Sequence, residues 1–347
     1  MLMDLVLEGG GVKGIAIVGA LSVFEEHGFV VNRVAGTSAG AIVGSLAAAG
    51  MSVGRMTEVM QTLDFRKFMD RGRSKVPVVS EGVSLVLDQG AFSGAYARDW
   101  VREMLSEQGV ATFGDLRLAQ DRAERAAELP PDQRYKLVVM AADVTQRRLA
   151  RLPWDYRQHY GVDPDSVSVA EAVRASMSIP FFFEPVRLSY ERSRPDVPVE
   201  AAESVLVDGG LLSNFPVESF DRADGAPPRW PTIGIKLSSP GGSRDMFPSI
   251  APGPLGLAFD LLSTMVDSRD NQISQRADVL SRTVFVDTSG VAITNFNVKQ
   301  ADKDRLFDNG RRAATEFLSS WDFWAYVQDY RTGPLKALSH VPVAEDA

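Results

Sequence analysis

Two glycine-rich turns lie within the first fifty residues, and each joins an apolar run to a stretch with helical spacing. Leu2 to Leu7 reads as a short buried strand. Gly9 to Gly14 turns it, and Ile15 to His27 carries apolar residues spaced for a helix that ends at Gly28. Phe29 to Ala35 reads as a second strand, which Gly36-Thr37-Ser38-Ala39-Gly40 turns into an Ala-rich helix up to Gly50. That alternation of strand and helix asks for a parallel sheet covered by helices. A chain of 347 residues, 45% hydrophobic and 24% charged, can bury the core this needs within one large α/β unit.

Further along, Lys136 to Val144 is a strong central strand, and Val205 to Val207 and Thr232 to Leu237 are shorter ones, with a last strand at Thr283 to Val286. The Val205 strand ends at Asp208 and is read as parallel, like its neighbours. Helices are expected over Tyr96 to Glu107, Ala170 to Met177, Pro254 to Arg269 and Lys303 to Phe317. Residues 51–95, with the basic run Arg66, Lys67, Arg71, Arg73 and Lys75, read as a lid-like excursion over the core. Arg117 to Arg134 reads as a solvated helix or loop, Arg192 to Ala202 as a loop rich in proline and charge. One domain over 1–320 follows, with an aromatic segment and loose tail over 321–347.

The formal net charge of −8 excludes the basic field of a nucleic-acid binder. The absence of cysteine excludes disulfides, thiolate metal sites and a cysteine nucleophile. The amino terminus lacks the basic region of a signal peptide, and no run reaches the roughly 18–20 apolar residues of a spanning helix. The expectation is a cytoplasmic protein, at most peripheral to a membrane.

Gly36-Thr37-Ser38-Ala39-Gly40 satisfies G-x-S-x-G between strand and helix. A nucleophilic serine needs that setting: small neighbours leave room for a tight turn, the hydroxyl stands at the strand end, and the following helix points its positive end at the site. Gly9 to Gly14 admits three readings. Gly9, Gly11 and Gly14 match a dinucleotide fingerprint; Lys13 would suit a phosphate cradle; or the loop amides form an oxyanion hole. The nucleotide readings lack support, because the second strand ends in the serine turn and not in the acidic residue expected about 20 residues on. Two adjacent strand ends facing one crevice favour the oxyanion reading.

A serine nucleophile needs a proton acceptor. His27 lies where it would cap a helix, His159 in an Arg- and Tyr-rich loop, and His340 in the tail. Ser38, Asp208 and His340 follow the chain order of an α/β-hydrolase triad. Against it, only Met1 to Thr37 precede Ser38, too little for the strands that fold builds before its elbow. Asp208, in Val207-Asp208-Gly209-Gly210, is the other candidate. As a base it is weak at its ordinary pKa of about 3.9, so burial must help.

Together these pieces resemble the bacterial patatin-like phospholipase family: a Gly-rich loop with Lys13, then Gly36 to Gly40, then Asp208-Gly209-Gly210. Arg174-Ala175-Ser176-Met177-Ser178-Ile179-Pro180 and Leu211-Leu212-Ser213-Asn214-Phe215-Pro216-Val217 are similar too. The resemblance covers roughly residues 1–315, weakly over 51–135 and 190–200. It implies a three-layer α/β/α fold with a mainly parallel sheet and helical lid-like insertions. It also implies a Ser38–Asp208 dyad with Gly36, Thr37, Ala39 and Gly40 forming the elbow. Gly9, Gly10, Gly11, Lys13 and Gly14 would make the oxyanion hole, with Gly209 and Gly210 beside the aspartate. The implied activity is hydrolysis of fatty-acyl esters of lipids or phospholipids at a transiently contacted membrane surface, with no cofactor or metal. A catalytically silent lipid binder, or a nucleotide-binding regulator, is the alternative on the same fold. Phe181-Phe182-Phe183 and the helical face Leu255, Phe259, Leu262 and Val266 are either acyl-chain surface or core. Trp321, Phe323, Trp324 and Tyr326 are either core or an interfacial belt.

Overall fold

The computed structural model describes residues 1–70, 92–118, 129–194, 197–222, 224, 226–237 and 276–331. The expected helix over Pro254 to Arg269, the basic residues Arg71, Arg73 and Lys75, and His340 lie outside them.

Strands β1 (Leu2–Leu7), β2 (Val30–Thr37), β3 (Leu137–Asp143), β4 (Arg148–Leu152), β5 (Val186–Arg194), β6 (Val197–Asp208), β7 (Thr232–Lys236) and β8 (Thr283–Phe285) form one mixed sheet. Its order is β5-β6-β3-β2-β1-β7-β8, with β4 also on β3. Every residue of β3 and β7 is buried, as are nearly all of β1 and β2. A strand buried at successive positions is covered on both faces, which is why these four are mainly apolar, and the polar Asp4, Asn32 and Arg33 of β1 and β2 are buried bonded to one another.

The helices are α1 (Gly14–Glu26), α2 (Ala39–Ala48), α3 (Val53–Thr62), α4 (Ala95–Ser106), α5 (Val169–Ser176), α6 (Ala277–Leu280), α7 (Gln300–Ser320) and α8 (Phe323–Tyr330). None is long and apolar enough to cross a membrane. Helix α1 ends as its sequence suggests: His27 caps Val23 through Nδ1 (2.8 Å), and Gly28 takes φ +75°. Of the stretch 51–95, α3 sinks Met56, Val59 and Met60 into the core, and Phe65 and Phe68 follow them in; 71–91 lies outside the described residues. The aromatic segment divides: Phe323 and Tyr326 are buried, whereas Trp324 is 64% exposed.

Two expectations are corrected. Arg192 to Ala202 is strand backbone where it is described, because β5 and β6 pair as an antiparallel ribbon from Val186↔Leu206 to Arg194↔Val197. Ladder hydrogen bonds there outweigh the weak strand preference of proline and charged residues. The strand ending at Asp208 is antiparallel to β3, not parallel.

That reversal sets up the site. Along β3, residues 139–143 pair with β4. Val139 and Met140 also pair with β2, and Ala141 to Asp143 with β6. A strand has two edges, so β2 and β6 share the edge opposite β4. They run toward each other and stop one residue apart, with Thr37 opposite Met140 and Asp208 opposite Ala141.

Candidate active site

Ser38 follows β2 directly and caps α2 with φ +50° and ψ −117°. Non-glycine residues seldom occupy that region, and holding one there costs about 1–3 kcal/mol, which the surrounding packing supplies. The flanking glycines are required by close approach. A Cβ on Gly36 would lie 2.4 Å from the Gly40 carbonyl oxygen, and one on Gly40 would lie 2.3 Å from that of Leu7. Helix α2 therefore starts hard against the end of β1, with Thr37, Ser38 and Ala39 all buried.

Asp208 arrives from the other strand. Its carboxyl accepts from the Gly210 amide (2.8 Å), and the Ser38 side chain is near enough to favour its charged form. Burial pushes it up to about 6, the Gly210 amide and then the Ser38 side chain pulling the other way. Gly209 is tight against β3, since a Cβ there would meet the Met140 carbonyl oxygen at 2.4 Å.

The first glycine turn borders the same point. Within Gly9 to Gly14 most amides are already used. That of Gly9 donates to Asn214 (3.2 Å), that of Lys13 to Gly10 (3.1 Å), and that of Gly14 to Gly11. Among the described residues the amides of Gly10 and Gly11 make no hydrogen bond. Gly11 has φ +55°, and a Cβ there would strike the Ile293 carbonyl oxygen. Lys13 is buried, and Gly14 opens α1, where a Cβ would be in ordinary contact with Ala39. A Cβ on Gly9 would collide with Asn214 Oδ1 and come within 3.2 Å of the Ser38 Cβ, so the loop lies over the serine.

Three supports were not assigned roles from the sequence. Ser176 joins the Ser38 amide (2.9 Å) to the Met140 carbonyl (2.5 Å). Asn214 donates Nδ2–H to the Gly9 carbonyl (3.1 Å). Glu8, 2% exposed, pairs with Lys236 (2.6 Å) and fastens the end of β1 to β7 beside the glycine loop. Ser176 and Asn214 lie in sequence blocks that are recognisable; Glu8 gives no such signal.

Among the described residues no histidine bonds to Ser38 or Asp208, and no group of three or more His, Asp or Glu could hold a metal ion. His27 is at the far end of α1, and His159 is half-buried in the turn Tyr156–Tyr160, its pKa lowered by burial and then by Arg148. Phe183 is core, whereas Phe181 and Phe182 are half-buried, and Phe182 stacks on Phe296 (5.1 Å).

Residues 5–221 match the family model of the patatin-like phospholipases. An uncharacterised protein of Bacillus subtilis, YqhO, is 33% identical over 325 residues, covering 93% of this chain and 100% of its own. An uncharacterised NTE family protein of Mycobacterium tuberculosis is 26% identical, covering 62% of this chain and 27% of its own. Among solved structures, VipD from Legionella pneumophila shares the fold, with a TM-score of 0.51 at 20% identity over 92% of this chain and 67% of its own. The family match and the near full-length relative agree, and the chain belongs to the patatin-like phospholipase family, whose level of description is that of a lipid hydrolase.

Proposed function

We propose that the chain is a serine acyl hydrolase that cleaves fatty-acyl ester bonds of lipids through Ser38 and Asp208. The observation that carries this reading is the meeting of two strand ends, β2 delivering Ser38 and β6 delivering Asp208 at adjacent positions of β3, with both residues buried; burial raises the Asp208 carboxyl to about 6. A carboxylate of that pKa is ionised at neutral pH and is a better proton acceptor than an exposed one.

The Ser38 oxygen attacks the ester carbonyl as Asp208 takes its proton. Oxyanion charge then falls to the amides of Gly10 and Gly11, with Ala39 at the start of α2. Collapse expels the alcohol or lysolipid, which leaves with the proton held on Asp208. Asp208 next takes a proton from water, the hydroxide attacks the acyl-enzyme, and the departing Ser38 oxygen recovers that proton, releasing a fatty acid. Phe181 and Phe182 offer partly open apolar surface for the acyl chain, on the segment whose Ser178 carbonyl receives the Asp208 amide (2.9 Å). Each step uses groups of the chain and water alone.

The test is turnover of a short-chain chromogenic ester and of phospholipid vesicles by wild type, Ser38→Ala, Asp208→Asn and His340→Ala. Loss of at least about a thousandfold in the first two, with His340→Ala near wild type, is expected. A folded but inactive His340→Ala would replace the dyad by a triad. A wild type that binds lipid without turning it over would make the chain a silent lipid binder.

A further inference from the structure

We infer that Ser176 is the positioning residue of the nucleophile: its hydroxyl, interposed between two strands, fixes the Ser38 backbone and withdraws the Ser38 amide from oxyanion contact. The inference rests on Ser38 being the nucleophile.

Ser176 is the last residue of α5 and is 0% exposed. It donates its one proton to the Met140 carbonyl (2.5 Å) and accepts from the Ser38 amide (2.9 Å). Both directions are fixed, because a hydroxyl has a single hydrogen and an amide can only donate. Met140 is the β3 residue opposite Thr37, and the next residue of β3 faces Asp208. The hydroxyl thus ties the residue after β2 to β3 at the place where β2 and β6 both stop.

Two consequences follow. Ser38 holds φ +50°, and its amide is one of the few handles by which the fold can impose that conformation. Loss of the hydroxyl removes that tie, and a small displacement of the Ser38 oxygen relative to Asp208 slows attack more than it weakens substrate binding. The amide most adjacent to the reacting oxygen is also already spent on Ser176. The acyl oxyanion then depends on donors from outside residue 38, namely Gly10, Gly11 and Ala39.

Ser178 supplies a matched control. It is also 0% exposed and two residues on, but among the described residues its hydroxyl bonds only Arg174, through Nη1 (2.5 Å) and the carbonyl (3.0 Å). The experiment measures kcat and KM on the chromogenic ester, the rate of Ser38 labelling by an alkyl fluorophosphonate, and thermal melting. The variants are Ser176→Ala, Ser176→Thr, Ser176→Cys, Ser178→Ala and Ser38→Ala.

For Ser176→Ala, kcat and the labelling rate fall by about 10- to 100-fold while KM holds, and Ser176→Thr recovers most of the loss. Wild-type kcat and labelling in a folded Ser176→Ala, an equal loss in Ser178→Ala, or a Thr variant as slow as Ala would each overturn the inference. If Ser176→Ala does not fold, Cys against Thr decides: the thiol is a weak hydrogen-bonding group, so Cys is the slower, and equal rates overturn. Ser38→Ala separates two failures. If it keeps turnover, the Ser38 reading and this inference fall together; if it is dead while Ser176→Ala is at wild-type rate, only this inference falls.

Discussion

Asp208 carries a cost that its proposed role as base explains. Its carboxyl is raised from 3.8 to about 6 by burial, so between those values the folded chain holds a proton that the unfolded chain has released. Stability therefore falls as pH rises through that window. Above it, keeping the charge buried costs about 3 kcal/mol relative to a solvated carboxylate. Asp208→Asn removes the charge and should unfold at higher urea than wild type at pH 8, the difference vanishing near pH 4. On the proposed mechanism the same titration sets the rate: kcat/KM should rise about tenfold per pH unit up to about 6 and level off above it, with an unchanged midpoint in His340→Ala. Equal urea midpoints at pH 8 would show that the carboxylate is already satisfied, and a midpoint that moves in His340→Ala would assign it to the histidine. The turns that carry Ser38 and Asp208 were legible in the sequence because each is a short motif with its own local geometry. Ser176 and Asn214 were legible only as parts of blocks. Their partners are Ser38, 138 residues away, and Gly9, 205 residues away, and no local pattern encodes such a pairing.

Among the elements, α1 matters because it follows the glycine loop directly. Its contact with α7 is unusually close. A Cβ on Gly19 would lie 2.1 Å from the Phe307 carbonyl oxygen, and one on Gly310 would lie 2.0 Å from that of Ala16. Both collisions are with backbone, so no rotamer change relieves them. Gly19→Ala and Gly310→Ala should each cost about 1–3 kcal/mol by urea denaturation at unchanged m, the range for overpacked cores. Gly54, in the first turn of α3, meets nothing within 4 Å, so Gly54→Ala should stabilise by about 0.5 kcal/mol. A Gly19→Ala variant as stable as wild type would mean that α7 slides without loss. Helices α1, α4, α5 and α7 were readable because each keeps a helical spacing of apolar residues. The ribbon of β5 and β6 was not, since proline and charge there give the signature of a loop and the strand state comes from pairing.

For the whole molecule, the decisive fact is a direction that no local pattern records. Periodicity marks a strand but not which way it runs, so Asp208 was placed in a parallel strand although β6 enters against β3. The error left the residue in the right place, because β6 ends where β2 ends. Charge is the other property of the whole. The chain carries a formal net charge of −8, and a lipid ester of the kind proposed would be presented to it at a surface. At low ionic strength a like-charged surface repels such a protein over tens of ångströms, and salt shortens that reach to about 3 Å at 1 M. Phosphatidylcholine vesicles should therefore be hydrolysed faster than vesicles rich in phosphatidylglycerol at about 10 mM salt. The gap should close as salt rises, and a water-soluble short-chain ester should show no such dependence. Faster hydrolysis of the anionic vesicles at low salt would mean that a local basic face, and not the net charge, governs the encounter. The soluble ester separates that outcome from an effect of salt on the dyad, because it reaches Ser38 without a surface.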